Sequence, residues 1–122
     1  MTMREEIVLP PLPTLGYYYH YKHDPAGLVN NYAYRVMGVI HHTEDDCRPI
    51  DRLMVVYRPL YDAYVYTLGK GLISDGRPLE MFMSTVEKDG IVMPRFNFIT
   101  DAAVIAELSR IHDEMYGHVD HA

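Results

Sequence analysis

One cysteine, no run of about 18 apolar residues and no surplus of positive charge set the outer limits of this 122-residue chain. A lone Cys47 cannot close an internal disulfide, which suits a reducing compartment. Cys47 follows the acids Asp45 and Asp46 and has none of the cationic neighbours on that side that activate a thiol, so it is not expected to act as a nucleophile. Without a long apolar run there is no expected membrane-spanning helix. The opening Met1-Thr2-Met3-Arg4-Glu5-Glu6 leads into Pro10-Pro11 and not into an apolar signal-peptide core, so the expected location is the cytoplasm. Ser74, Ser84 and Ser109 lack a Gly-x-Ser-x-Gly frame, and Gly69-Lys70-Gly71 is too short for a phosphate loop. No catalytic signature and no cofactor follow from these motifs.

The net charge is −6, and its placement says more than its size. The first fifteen residues carry Arg4 against Glu5 and Glu6. From residue 99 onward, Arg110 stands against Asp101, Glu107, Asp113, Glu114 and Asp120, which leaves a nearly neutral body. Non-specific nucleic-acid binding needs a clustered positive surface and is not expected. A local arginine patch remains compatible with this distribution.

What is present is enough for one domain: 48% hydrophobic residues against 23% charged ones is the balance of a folded chain of modest core. Leu9-Pro10-Pro11-Leu12-Pro13 reads as an extended lead-in. Tyr17-Tyr18-Tyr19-His20-Tyr21-Lys22 favours a strand, followed by turn chemistry at Asp24-Pro25-Ala26-Gly27 and a left-handed residue at Asn30-Asn31. Tyr32 to Ile40 is a second strand with a bulge expected at Gly38, and a third runs from Arg52 to Tyr57, ending at Pro59. Tyr61 to Gly71 suits a short hairpin or an irregular loop. Pro78 to Phe82 suits a single helical turn. Phe82 to Val86 and Ile91 to Phe96 flank the hairpin signal Asp89-Gly90. Short strands at this spacing predict a mainly β fold, a small roll or barrel.

After Asp101 the period changes. Val104, Ile105, Leu108, Ile111 and Met115 share one helical face, with Thr100 or Asp101 as N-cap and Gly117 as the stop. That amphipathic helix must bury its face on the sheet, on a partner or on a second copy, so a homo-oligomer through these five residues is one expectation.

The tripeptide Arg-Pro-Leu occurs at Arg58-Pro59-Leu60 and again at Arg77-Pro78-Leu79, each where an apolar run meets a proline. Together with Tyr19-His20-Tyr21-Lys22, Tyr34-Arg35-Val36-Met37-Gly38-Val39, His42-Thr43-Glu44, Val55-Val56-Tyr57, Glu80-Met81-Phe82 and Pro94-Arg95-Phe96, these blocks resemble domain-of-unknown-function family 1653 over residues 16–98. The resemblance implies a small bacterial domain with an SH3-like β-roll and brings no catalytic residues. It divides the chain into a lead-in over 1–15, the roll over 16–98, the helix over 99–117 and a tail over 118–122. Most members resembling it pass almost directly from the His-Tyr-Lys segment to the next strand, without the insertion at about His23 to Asn31; many are shorter at Tyr64 to Asp75, and the helix lies outside the shared part.

Arg35, Arg58, Arg77 and Arg95 lie in or beside strands, interleaved with Tyr34, Tyr57, Tyr61 and Phe96, a combination that grips phosphate or carboxylate and stacks rings. The candidate surface is Tyr57, Arg58, Tyr61, Arg77 and Glu80, with Arg35 and Arg95 nearby, and its partner a protein, an acidic peptide or a small anionic ligand. The bland alternative is a structural one, an Arg77–Glu80 pair closing the end of the roll beneath Tyr57. Another class would be a small hydrolase or nucleotide-handling enzyme using Glu80 and a histidine, His20 or His42. The seven histidines, His20, His23, His41, His42, His112, His118 and His121, lack ligand-pair geometry and are expected at polar surface positions, with no metal.

Overall fold

The computed structural model describes residues 9–64, 66 and 71–117. Among them, the aromatic segment forms β1 (Gly16–His20), followed by β2 (Ala33–His41), a 3₁₀ turn (Pro49–Asp51), β3 (Leu53–Pro59), β4 (Asp75–Pro78), α1 (Leu79–Phe82), β5 (Thr85–Lys88), β6 (Ile91–Pro94), β7 (Phe96–Phe98) and α2 (Ala102–Tyr116). Five strands make one antiparallel sheet in the order β4-β3-β2-β1-β7, and β5 pairs with β6 as a separate hairpin. The expected mainly β fold with a C-terminal helix is present, but the main sheet keeps two open edges, β4 and β7, and is not a closed barrel.

Alternation of side chains assigns each residue to a layer. On one face Tyr18, Tyr34, Val36, Val55 and Tyr57 pack with Leu79 and Phe82 of α1 and with Phe96. On the other face Tyr17, Tyr19, Ala33 and Leu60 pack with Ile99, Val104, Ile105, Leu108 and Ile111. The strand pairing shifts between Val36 and Gly38, the bulge the sequence predicts. The inserted residue reverses the parity of β2, so Val39 joins Val36 on the α1 side instead of facing α2.

Asp89 (φ 53°) and Gly90 (φ 77°) make the expected two-residue turn, with Lys88 opposite Ile91. The predicted strand Ile91 to Phe96 divides at Arg95. Before it the chain pairs with β5, after it with β1, and Arg95 joins the two: its amide donates to the Ser84 carbonyl at 2.9 Å, continuing the hairpin, while its carbonyl accepts from the Tyr21 amide at 2.9 Å, beyond the end of β1. Asp75–Pro78 forms a strand that its composition does not announce; at the sheet edge Pro78 removes no ladder bond. The left-handed residue is Tyr32 (φ 50°), one position beyond Asn30-Asn31, since Asn31 uses its side chain to bind the Asp24 amide and carbonyl at 2.8 and 2.9 Å. The part of the Tyr61 to Gly71 expectation that falls on 65 and 67–70 lies outside the described residues, as do residues 1–8 of the lead-in and the tail with His118 and His121.

α2 starts where the sequence places it. Asp101 accepts a hydrogen bond from the Val104 amide at 3.0 Å, and Gly117 (φ 83°) ends the helix. Replacing Asp101 by Ala removes that acceptor and is expected to cost about 1 kcal/mol in urea unfolding, with an unchanged denaturant slope. Of the face expected to self-associate, Leu108 is fully buried and Val104, Ile105 and Ile111 pack against the chain's own sheet.

Candidate functional site

Register decides where each arginine goes. Arg35 lies opposite Arg58 across β2 and β3, and Arg77 lies opposite Val55 across β3 and β4. Arg58 is three residues beyond Val55, so the arginines of the two Arg-Pro-Leu copies stand on opposite faces of the sheet. The seven candidate residues therefore separate into two places, with Glu80 in a third.

The first place is on the α1 side. Arg77 Nε donates to the Tyr57 hydroxyl at 3.3 Å, and its guanidinium lies 5.4 Å over the Phe96 ring. Phe96 is itself held by Phe82, stacked at 4.3 Å and 10°. His20 meets Phe96 edge-on at 5.1 Å and stacks on Tyr32 at 5.6 Å, so the strained Tyr32 forms one wall. Tyr61 continues the wall, 6.2 Å from Tyr32, and its hydroxyl shares a 2.6 Å hydrogen bond with that of Tyr34. Arg95 is anchored by its Nε donating to Ser84 Oγ at 3.0 Å. None of Arg35, Arg58, Arg77 and Arg95 has a carboxylate within ion-pair distance among the described residues, whereas Arg48 and Arg110 do.

Electrostatics report the same crowding of cations. Burial, and after it Arg77, Lys22 and Arg95, push the His20 pKa down to about 4. The Lys22 amide donates to His20 Nδ1 at 3.2 Å, so the neutral ring carries its proton on Nε2 and can donate there. Asp75, opposite Tyr57 on β4, has its carboxyl raised by burial, with Arg77 opposing, and burial also raises the phenols of Tyr34 and Tyr61. The site thus offers guanidinium, imidazole and phenol donors among aromatic faces, with the Asp75 carboxyl on the same face of β4 as Arg77. It can hold an oxyanion and a flat group beside it.

The second place lies under α2. Arg58 Nη1 is 3.2 Å from His112 Nε2, Arg35 Nη1 is 3.3 Å from both ring nitrogens, and Arg58 Nη2 donates to the Gly71 carbonyl at 3.1 Å. Tyr116 covers Arg58 at 4.8 Å, and its hydroxyl donates to the Pro59 carbonyl at 2.6 Å. His112 is completely buried, a correction to its expected surface position: it follows Leu108 by one helical turn and shares that residue's inward face. That spacing was the available signal for it. Tyr116 and Gly71 likewise lie outside the arginine–tyrosine pattern.

Glu80 is exposed on the rim of an apolar groove of about 600 Å³, lined by Pro10, Pro11, Pro49, Ile50, Arg52, Leu53, Leu79 and Met83. It forms no ion pair with Arg77 among the described residues, so the expected Arg77–Glu80 closure is replaced by the Arg77–Tyr57 hydrogen bond. No histidine lines that groove. The Glu80 and histidine arrangement required by the hydrolytic reading is not assembled there. His23 stacks on Tyr19 at 3.5 Å, away from His20, and no group of three or more His, Cys, Asp or Glu side chains among the described residues is placed to hold a metal. Among the described residues no helix is long and apolar enough to cross a membrane.

Residues 16–98 match the family described as Protein of unknown function (DUF1653). A crystal structure of a member of that family from Bordetella bronchiseptica is 28% identical, covering 70% of this chain and 86% of that one, with a TM-score of 0.49. No curated protein matches. With more than half of its length matched, the chain belongs to the DUF1653 family.

Proposed function

We propose that this protein is a non-catalytic binding module for a ligand bearing a phosphate or carboxylate, small or displayed on an acidic peptide, held between Arg77, Arg95 and His20. The observation that carries this reading is convergence. Three blocks distant in sequence bring two arginines without carboxylate partners and a neutral imidazole to one aromatic-walled place. A purely structural arginine end-cap would be expected to recruit one of the chain's own acids, of which there are 17. Tyr57 and Tyr61 belong to this site. Arg35, Arg58 and Glu80 do not.

Phenyl phosphate is a suitable probe because it joins an oxyanion to a flat ring. At about 0.3–0.4 kcal/mol per heavy atom it should bind with a Kd on the order of 1 mM. Arg77→Gln should weaken that binding by about 10- to 100-fold, the worth of a charge-assisted hydrogen bond, while the thermal midpoint stays within a few degrees of wild type. Calorimetric titration of both folded proteins checks this. Equal affinities would leave Arg77 as a structural residue.

A further inference from the structure

The contacts under α2 have the form of an anion site with a side chain seated in it. Two guanidiniums face one another across adjacent strands, and the group that meets both is the His112 imidazole. The fit is incomplete. A neutral imidazole has one lone pair in its plane; Arg58 Nη1 at Nε2 uses it, which leaves the proton on Nδ1, facing Asp113 Oδ1 at 3.5 Å. Arg35 Nη1, equidistant from both nitrogens, is therefore off the lone-pair direction. Arg58 Nε is buried with no hydrogen-bond partner among the described residues.

We propose that Arg35 and Arg58 form a second oxyanion site, of the phosphate class, and that α2 is its cover, released when His112 takes up a proton. Protonation at Nε2 removes the acceptor of Arg58 and sets a third cation against Arg35 and Arg58. The charged and titratable groups facing His112 are Arg35 from β2, Arg58 from β3, and Asp113 and Tyr116 from its own helix, with Tyr17 of β1 beyond Arg35. Tyr116, its pKa pushed up to about 12, first by burial, stays neutral throughout. Asp113 alone among these groups opposes the added charge, and its side chain is 42% exposed. An oxyanion with several acceptor atoms could meet the orphaned Nε as well as both Nη1 groups, which an imidazole cannot.

The sign follows from linkage. The His112 pKa is lowered in the closed chain, first by burial and next by Arg35, so the closed form is favoured while the ring is neutral and loses ground as pH falls below the ordinary value near 6.5. The helix-open fraction should rise between pH 7.5 and 5.5, by at most about tenfold for one ring with an open-state pKa near 6.5. This proposal uses residues separate from Arg77 and Arg95, so either site can fail without the other.

Amide hydrogen exchange on the full chain tests it, expressed as protection factors at pH 7.5 and 5.5, with inorganic phosphate or with sodium chloride at equal ionic strength. The expected result is a several-fold loss of protection, at most about tenfold, in residues 102–116 at pH 5.5, with β1 to β3 unchanged, and a further loss when phosphate is added. His112→Gln, neutral at every pH, should show no pH-dependent loss. Protection of α2 that is equal at the two pH values, that falls together with β1 to β3, or that falls as much in the variant overturns the proton-released cover. Protection unmoved or raised by phosphate overturns the oxyanion site. If the variant does not fold, the contrast between α2 and β1 to β3 in the wild-type chain decides the first point.

Discussion

Phe82→Ala is expected to destabilise the chain by about 3–5 kcal/mol, read as a lower urea midpoint at unchanged slope. The cost is large because Phe82 is 1% exposed, stacks on Phe96 at 4.3 Å and meets Tyr18 edge-on at 5.4 Å. Its removal leaves a cavity beneath Phe96 that α1, one helical turn long, can fill only by moving the Arg77-Pro78-Leu79 segment before it. Phe96 is also the ring beneath Arg77. The variant should therefore lose affinity for phenyl phosphate beyond what the unfolded fraction explains. Full affinity in the remaining folded protein would show that the Phe82 support is unnecessary to the site.

Leu108→Ala is the second large effect, about 2–5 kcal/mol. Leu108 is fully buried at the centre of the contact between α2 and the sheet, with Ala33, Leu60 and Ile99 around it. The two cores lie on opposite faces, so this loss should fall first on α2. Hydrogen exchange in 102–116 should accelerate more than in β1 to β3, and phenyl phosphate binding should survive in the folded protein. Leu108 precedes His112 by one turn, so the variant should also release the cover at a higher pH than wild type. A uniform loss of protection across all strands would instead make the helix part of a single cooperative unit.

How much of this was legible in the sequence varies by element. The period-two runs, the Asp89-Gly90 turn, the Asp101 cap and the Gly117 stop are local chemistry and appear where their residues place them. The barrel did not close because closure depends on partners distant in sequence: among the described residues β7 joins β1, β4 stops at the other edge, and β5 and β6 pair only with each other. The four arginines were visible as a set, but their distribution was not. A difference of three residues between Val55 and Arg58, together with the pairing of Val55 with Arg77, sends the two Arg-Pro-Leu arginines apart. His112 and Leu108 had the right spacing, yet histidine is intermediate between inside and outside, and the two arginines that meet its ring come from strands distant in sequence. Tyr32 owes its place in the aromatic wall to backbone geometry after Asn31, which composition does not encode.

The most direct measurement is the pKa of His20, followed by NMR of its ring, in the free protein and with saturating phenyl phosphate. The free protein should titrate at about 4, with burial and the Arg77, Lys22 and Arg95 charges holding the ring neutral. An oxyanion seated among those cations offsets them, so the bound value must rise. Arg77→Gln should raise the free value and blunt the response to ligand. A His20 pKa near the ordinary 6.5 in the free protein, or one that phenyl phosphate leaves unmoved at saturation, would contradict an anion site at Arg77 and Arg95.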